Sequence, residues 1–180
     1  VALSSLLLRD VLLDGRRTNV HVEGNTIDQV GRPREADRVI EGKGMAVLPG
    51  MINGHTHAAM TLLRSFADDM RLHDWLEGRI WPLEAKLRPT DVYWGTKLAC
   101  LEMVKTGTTC FNDMYFHVEE VARAASEAGL RAFLSYGFID LFDQDKAEAE
   151  IRKTQETVQH IRRMRNPRIR PALGPHAAYT

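Results

Sequence analysis

Cysteine is scarce in this chain: Cys100 and Cys110 are the only two in 180 residues, and both lie in apolar runs without a CxxC pair. That scarcity argues against a disulfide framework or a thiolate zinc site and predicts a reducing, cytoplasmic setting. An excess of one charge is missing too, since 24 Lys+Arg balance 24 Asp+Glu. No nucleic-acid partner is therefore expected. A phosphate-binding domain usually carries a basic excess, and the densest basic cluster here, Arg162 to Arg165, ends a predicted helix, where cations suit the dipole. Long apolar runs are absent. The opening Leu6 to Leu8 run is broken by Arg9 and Asp10, far short of a membrane span and without a signal-peptide layout, so no membrane partner is expected. With 44% hydrophobic and 27% charged residues, the composition is that of a globular protein. The length suits one ordinary domain, or one domain with a small appendage.

Up to residue 48 the pattern predicts a small β unit. Leu6 to Leu13, Thr18 to Val22, Thr26 to Val30 and Arg38 to Ile40 read as strands, separated by turns at Asp14-Gly15 and Gly24-Asn25. From residue 49 to 180 the texture changes to alternating strand and helix. A first strand is expected at Ala46 to Asn53, followed by an irregular helical stretch from Met60 to Leu87. Thr90 is expected to cap a helix that buries Trp94, Leu98, Leu101 and Val104 and stops at Gly107. Further strands are predicted at Thr108 to Met114, Leu130 to Ile139 and from Arg168 to Gly174. A helix with Val118, Val121, Ala125 and Ala128 inward separates the first two of these. Another, from Asp145 to Arg165 with Ala147, Ile151, Val158 and Ile161 inward, precedes the last. Four such units suggest half of an eightfold barrel, whose full form takes roughly 250 residues. A complete doubly wound sheet is the alternative, but Gly-rich phosphate turns do not follow the strands.

The sharpest chemical signal is His55-Thr56-His57, directly after Val47-Leu48-Pro49-Gly50-Met51-Ile52. On an extended strand, residues i and i+2 share a side, so both imidazoles can reach one point at the strand's C-terminal end. Barrel active sites lie at that end, and two neutral imidazoles suit a divalent ion such as zinc. Two ordinary turn histidines are the plainer reading. Glu84 could be a solvated helix carboxylate and Trp75 a core aromatic; His160 and His21 read as exposed.

The run from Val47 to His57 resembles the first-strand signature of the amidohydrolase superfamily, in the branch of adenosine-type deaminases, guanine deaminase and triazine hydrolases. Met60-Thr61-Leu62-Leu63-Arg64, Trp81-Pro82-Leu83-Glu84, Gly107-Thr108-Thr109, Asp113-Met114-Tyr115-Phe116-His117 and Gly174-Pro175-His176-Ala177 are similar to the 5'-methylthioadenosine/S-adenosylhomocysteine deaminase family, in consistent order along nearly the whole chain. The resemblance implies an α/β fold: the N-terminal part of a (β/α)8 TIM-like metal-dependent hydrolase barrel, with a small N-terminal β-sandwich segment completed by C-terminal residues. It implies that His55 and His57 are two of four ligands to one divalent metal ion, zinc first and iron as the alternative. The other two ligands and a proton-shuttling glutamate are expected beyond Thr180, so no catalytic residue is expected within this chain. Trp75, Glu84 and His176 match family positions that contact substrate, Glu84 accepting hydrogen bonds from the ribose hydroxyls; a metal-ligand or purely structural role for His176 is the lesser alternative. The implied reaction is hydrolytic deamination of a nucleoside at C6 of adenine by an activated water, in an enzyme whose family often forms homo-oligomers.

One departure bears on the substrate. Where family members acting on S-adenosylhomocysteine carry an arginine for the amino-acid carboxylate, this sequence has Tyr136, with Lys146 as the nearby cation. A tyrosine cannot give a carboxylate paired charge-assisted hydrogen bonds. The run from Ser135 to Asp143 resembles archaeal-type 5'-deoxyadenosine deaminases, which makes 5'-deoxyadenosine and 5'-methylthioadenosine the leading substrates, ahead of S-adenosylhomocysteine or adenosine. Guanine deamination, triazine hydrolysis and an inactive fragment or binding module remain the alternatives.

Overall fold

A computed structural model describes residues 4–177, which fall into two units divided between Pro49 and Gly50. The first is a four-stranded sheet. β1 (Ser5–Leu13), β2 (Arg16–Glu23) and β3 (Thr26–Val30) form an antiparallel meander, and β4 (Arg38–Glu41) returns parallel to β1, giving the order β3-β2-β1-β4. Asp14 and Gly15 both take positive φ, 49° and 77°, as a two-residue hairpin turn between right-twisted strands demands. Leu7, Val11 and Val20 are its buried apolar side chains. His21 corrects the sequence expectation. It is 4% exposed, and its Nδ1 lies 3.2 Å from the Asp28 carboxylate on the neighbouring strand β3.

Residues 45–47 also belong to this sheet. Leu12 donates its N–H to Met45 O and accepts from Val47 N, so the backbone expected to open the first barrel strand is already engaged. That strand, β5, accordingly runs Met51–Thr56 and not Ala46 to Asn53.

In the second unit β5 is followed by a 3-10 turn over Ala58–Leu63 and a broken helix. Its parts are α1 (Leu72–Trp75), a π-helical turn (Leu76–Ile80) and α2 (Trp81–Glu84). Then come α3 (Pro89–Thr106), β6 (Thr108–Tyr115), α4 (Val118–Ala128), β7 (Arg131–Phe138), α5 (Gln144–Arg163), β8 (Ile169–Pro171) and β9 (Gly174–Pro175). The strands are parallel in the order β5-β6-β7-β8, with β9 also pairing β7. Sequential parallel neighbours linked by helices are the strand order of the first half of a (β/α)8 barrel. The core lies between sheet and helices, around Phe111, Leu134, Val92, Val121 and Ile161. Full burial of each such side chain is worth on the order of 1.5–3 kcal/mol.

Two helix faces differ from expectation. On α3, Trp94, Leu98, Leu101 and Val104 are exposed, while Val92, Gly95, Thr96, Ala99, Cys100 and Met103 face inward. Close approach explains the rotation. A Cβ at Gly95 would collide with the carbonyl of Ala59, and Thr61 Oγ1 donates to Gly95 O at 2.7 Å, so the 3-10 turn sits against a helix face that must be small. The cap is Arg88 rather than Thr90, its N–H donating to Asp91 Oδ2 at 2.9 Å. On α5, Ile151 is exposed and Glu150 is buried in its place. Among the described residues no helix is long and apolar enough to cross a membrane.

Candidate functional site

β5 delivers the histidines. His55 lies on the strand; His57 leaves it at φ −126°, ψ 72° and opens the 3-10 turn. Their ring centroids are 5.2 Å apart and the planes nearly perpendicular, at 87°. The next strand holds this segment from both sides. Thr56 Oγ1 lies 2.6 Å from Asp113 Oδ1 and 2.9 Å from Asn112 O, and Ala58 N donates to Asp113 Oδ1 at 2.7 Å. His57 Nδ1 lies 2.7 Å from Met114 O. A carbonyl oxygen only accepts, so Nδ1 carries the proton and Nε2 of the neutral ring keeps its lone pair for another partner.

This arrangement fits a divalent ion. Zinc–nitrogen bonds of about 2.0–2.1 Å in a tetrahedral shell put two imidazole centroids on the order of 5 Å apart, which matches the observed separation. A ligating histidine whose other nitrogen donates to a backbone carbonyl is the usual outer-shell arrangement. The donor set is partial: among the described residues no three His, Cys, Asp or Glu side chains converge to hold a metal. Beside the histidines is a cleft of about 210 Å³, lined also by Asn112, Met114, Ser135 and Gly174.

Glu84, at the end of α2, is half-buried, and its Oε1 accepts from the Tyr115 hydroxyl at 2.7 Å. Burial raises the Glu84 pKa above its ordinary value, while the Tyr115 hydrogen bond and the charge of His57 pull it back. Tyr115 is buried, stacks on Phe116 with centroids 4.0 Å apart, and sits 6.3 Å from the His57 ring. Burial and the neighbouring carboxylate keep its hydroxyl protonated. Asp113, 2% exposed, is also pushed upward by burial, against its bonds from Thr56 and Ala58 and the charge of His57. His176 follows β9, its backbone N bonded to Phe138 O at 3.1 Å; Gly174 and Pro175 just before it line the cleft. Trp75 lines a different cavity of about 480 Å³, with Met60, Arg64, Phe66, Asp68 and Leu72.

The structure thus brings His55 and His57 together, places Glu84 beside them through Tyr115, and sets His176 next to the cleft; Trp75 does not line the histidine cleft. Tyr136 points away from the cleft. Its hydroxyl turns to α5, 3.3 Å from Glu150 Oε1 and 3.3 Å from Lys153 Nζ, and the β7 side chain lining the cleft is Ser135. Strand alternation sends Tyr136 to the helix side, in keeping with the expectation that it does not take the place of a substrate-binding arginine. Sequence reasoning assigned no role to Asp113 or Tyr115. The available signal was a carboxylate in an otherwise uncharged parallel strand, where an unpaired charge is costly.

Three comparisons bear on this geometry. The chain is 61% identical over 146 residues to a 5'-deoxyadenosine deaminase of Methanoregula boonei, covering 81% of this chain and 33% of that protein. It is 49% identical over 166 residues to a 5-methylthioadenosine/S-adenosylhomocysteine deaminase of Thermococcus sibiricus, covering 91% of this chain and 39% of that one. Among solved structures, an adenosine deaminase of Xanthomonas campestris with bound zinc superposes with a TM-score of 0.83 at 31% identity, over 97% of this chain and 43% of its own. The chain therefore spans less than half the length of each. The Amidohydrolase family model matches residues 46–180, from the end of the β unit through the entire strand-helix array, and the chain belongs to that family.

Proposed function

We propose that the full chain catalyses metal-dependent hydrolytic deamination of adenosine-type nucleosides, with 5'-deoxyadenosine and 5'-methylthioadenosine as leading substrates. The observation that carries this reading is the His55/His57 pair, held with its rings 5.2 Å apart and the Nε2 lone pair of His57 left for a ligand. His55 and His57 would hold a divalent ion, zinc first, whose chemistry is to lower the pKa of water toward neutrality for attack at C6 of adenine. Supporting the substrate class are the relatives' names and a deaminase of known structure that carries zinc.

The chain's own residues supply positioning. Glu84 accepts from the vicinal ribose hydroxyls; Tyr115 donates to Oε1, which leaves Oε2 for the sugar, and that bond pulls the Glu84 pKa down against the larger upward effect of burial. His176 contacts the nucleoside from the β9 side. Trp75 borders the neighbouring cavity and would meet the 5' end or the base only if substrate extends there. Cys100 and Cys110 are free and buried, in keeping with a reducing cytoplasmic setting.

The test is turnover of 5'-deoxyadenosine by the zinc-loaded full chain, followed by the ultraviolet change from adenine to hypoxanthine. Conversion is expected, and His55→Ala should abolish it and strip the metal. Bound zinc with no adenine conversion, alongside turnover of guanine or a chlorotriazine, would overturn the substrate class while keeping the family.

A further inference from the structure

We infer that Asp113 is a positioning residue for the histidine pair, acting with Thr56 to fix the backbone on which His55 and His57 are carried. The inference rests on the proposed metal-binding role of that pair. Along β6, Asn112 and Met114 line the cleft, while Phe111, Asp113 and Tyr115 are buried on the alternate positions. Asp113 therefore lies behind the site and touches neither substrate nor reacting atoms.

What it holds is specific. The β5/β6 pairing is irregular at this point: Asn53 pairs with Phe111 but Thr56 with Asp113, so three steps on one strand oppose two on the other. Such a bulge re-aims side chains and leaves part of the segment outside the regular ladder. Side-chain bonds take over there. One oxygen, Asp113 Oδ1, accepts the Thr56 hydroxyl at 2.6 Å and the Ala58 N–H at 2.7 Å, thereby bracketing His57 in sequence. The next residue's carbonyl, Met114 O, accepts from His57 Nδ1 at 2.7 Å. Three consecutive residues, 56 to 58, are thus tied to two consecutive residues of β6, and Ser135 Oγ anchors that strand in turn by donating to Asp113 O at 3.1 Å. Loss of such outer-shell support typically lowers metal affinity 10–100-fold.

The experiment measures zinc affinity of the full chain by chelator competition, together with the visible spectrum of the cobalt-loaded form, which reports ligand geometry. Thr56→Val, which removes the hydroxyl at constant shape, and Asp113→Ala should each weaken zinc binding tenfold or more and move the cobalt band, and Thr56→Ser should restore both. If Asp113→Ala does not fold, Thr56→Val decides. A loss smaller than tenfold in the folded variants, while His55→Ala strips zinc, overturns the positioning role and leaves the metal site standing. Zinc retained by His55→Ala overturns the underlying metal reading, and this inference with it.

Discussion

Two acidic side chains are buried in the strand-helix unit, Asp113 at 2% exposure and Glu150 at 6%, and they serve different ends. Asp113 sits on a strand and accepts from neutral donors, a threonine hydroxyl and a backbone N–H. Glu150 sits on a helix and meets Lys153 Nζ at 3.0 Å and the Tyr136 hydroxyl at 3.3 Å. Both satisfy the requirement that a buried carboxylate be hydrogen-bonded. Burial therefore does not separate function from structure here; the identity of what each carboxylate holds does. Asp113 secures the segment that carries two imidazoles, whereas Glu150 fastens α5 to the outer face of β7.

The largest expected difference comes from deleting each in turn. Asp113→Ala leaves the Ala58 N–H without its acceptor, at a cost of about 1–3 kcal/mol if buried, leaves the Thr56 hydroxyl only Asn112 O, and lowers zinc affinity as well. Glu150→Ala should lower the thermal midpoint but leave zinc affinity and kcat/KM within twofold of the parent protein. Chelator titration and a melting curve on both variants check this; equal losses of zinc affinity would erase the distinction.

A third carboxylate sharpens it. Glu84 is half-buried and, like Asp113, has a neutral donor, Tyr115. Burial raises its folded-state pKa above the ordinary 4.5. The protonated form is thus favoured by the fold; that contribution to stability is fully present below 4.5 and is lost as pH rises through the folded value. Tyr115→Phe removes a bond that lowers this pKa, so ionisation needs still higher pH. The expected outcome is a several-fold rise in KM for ribonucleosides, an acid limb of the KM profile moved to higher pH, and unchanged zinc affinity. Steady-state kinetics across pH would show it; a 2'-deoxynucleoside should respond less, because it offers Glu84 one hydroxyl fewer.

How much of this could be read beforehand depended on the kind of signal. The HxH pair was legible because its residues are neighbours in sequence, and the structure brings those rings together, though through a bulge with His57 already off the strand and not through regular alternation. Turn residues marked the β unit well, and Gly107 and Gly129 ended their helices in the left-handed conformation, with φ 86° and 79°. The helix faces were not legible where tertiary contact decided them. Periodicity assigned Trp94 and Leu101 inward, but the close approach of Ala59 to Gly95 selected the small-residue face. Where the Tyr136 side chain goes was likewise not legible: strand alternation directs it to α5, where its hydroxyl meets Glu150 and Lys153. Asp113 was visible as a member of a family-like motif and as an acid in a strand, but not its role, since its partners, Thr56 and Ala58, are more than fifty residues away in sequence.

The smallest predicted effect belongs to Lys153, whose side chain is 55% exposed. Its ion pair with Glu150 is half in solvent, where such pairs contribute only about 0–1 kcal/mol because water screens the attraction. Glu150, however, is the buried partner, and without Lys153 its carboxylate retains only the weaker Tyr136 contact among the bonds seen here. Lys153→Met keeps the aliphatic stem and removes the charge, so it isolates this electrostatic contribution. The melting midpoint should fall by a few degrees at low salt and by less at high salt, since exposed charge pairs are screened over roughly 10 Å at 0.1 M. Zinc affinity should not change at either salt concentration. A Lys153→Met variant that lost zinc would mean that α5 transmits strain through β7 and Ser135 to Asp113, and the two carboxylates would then belong to one network.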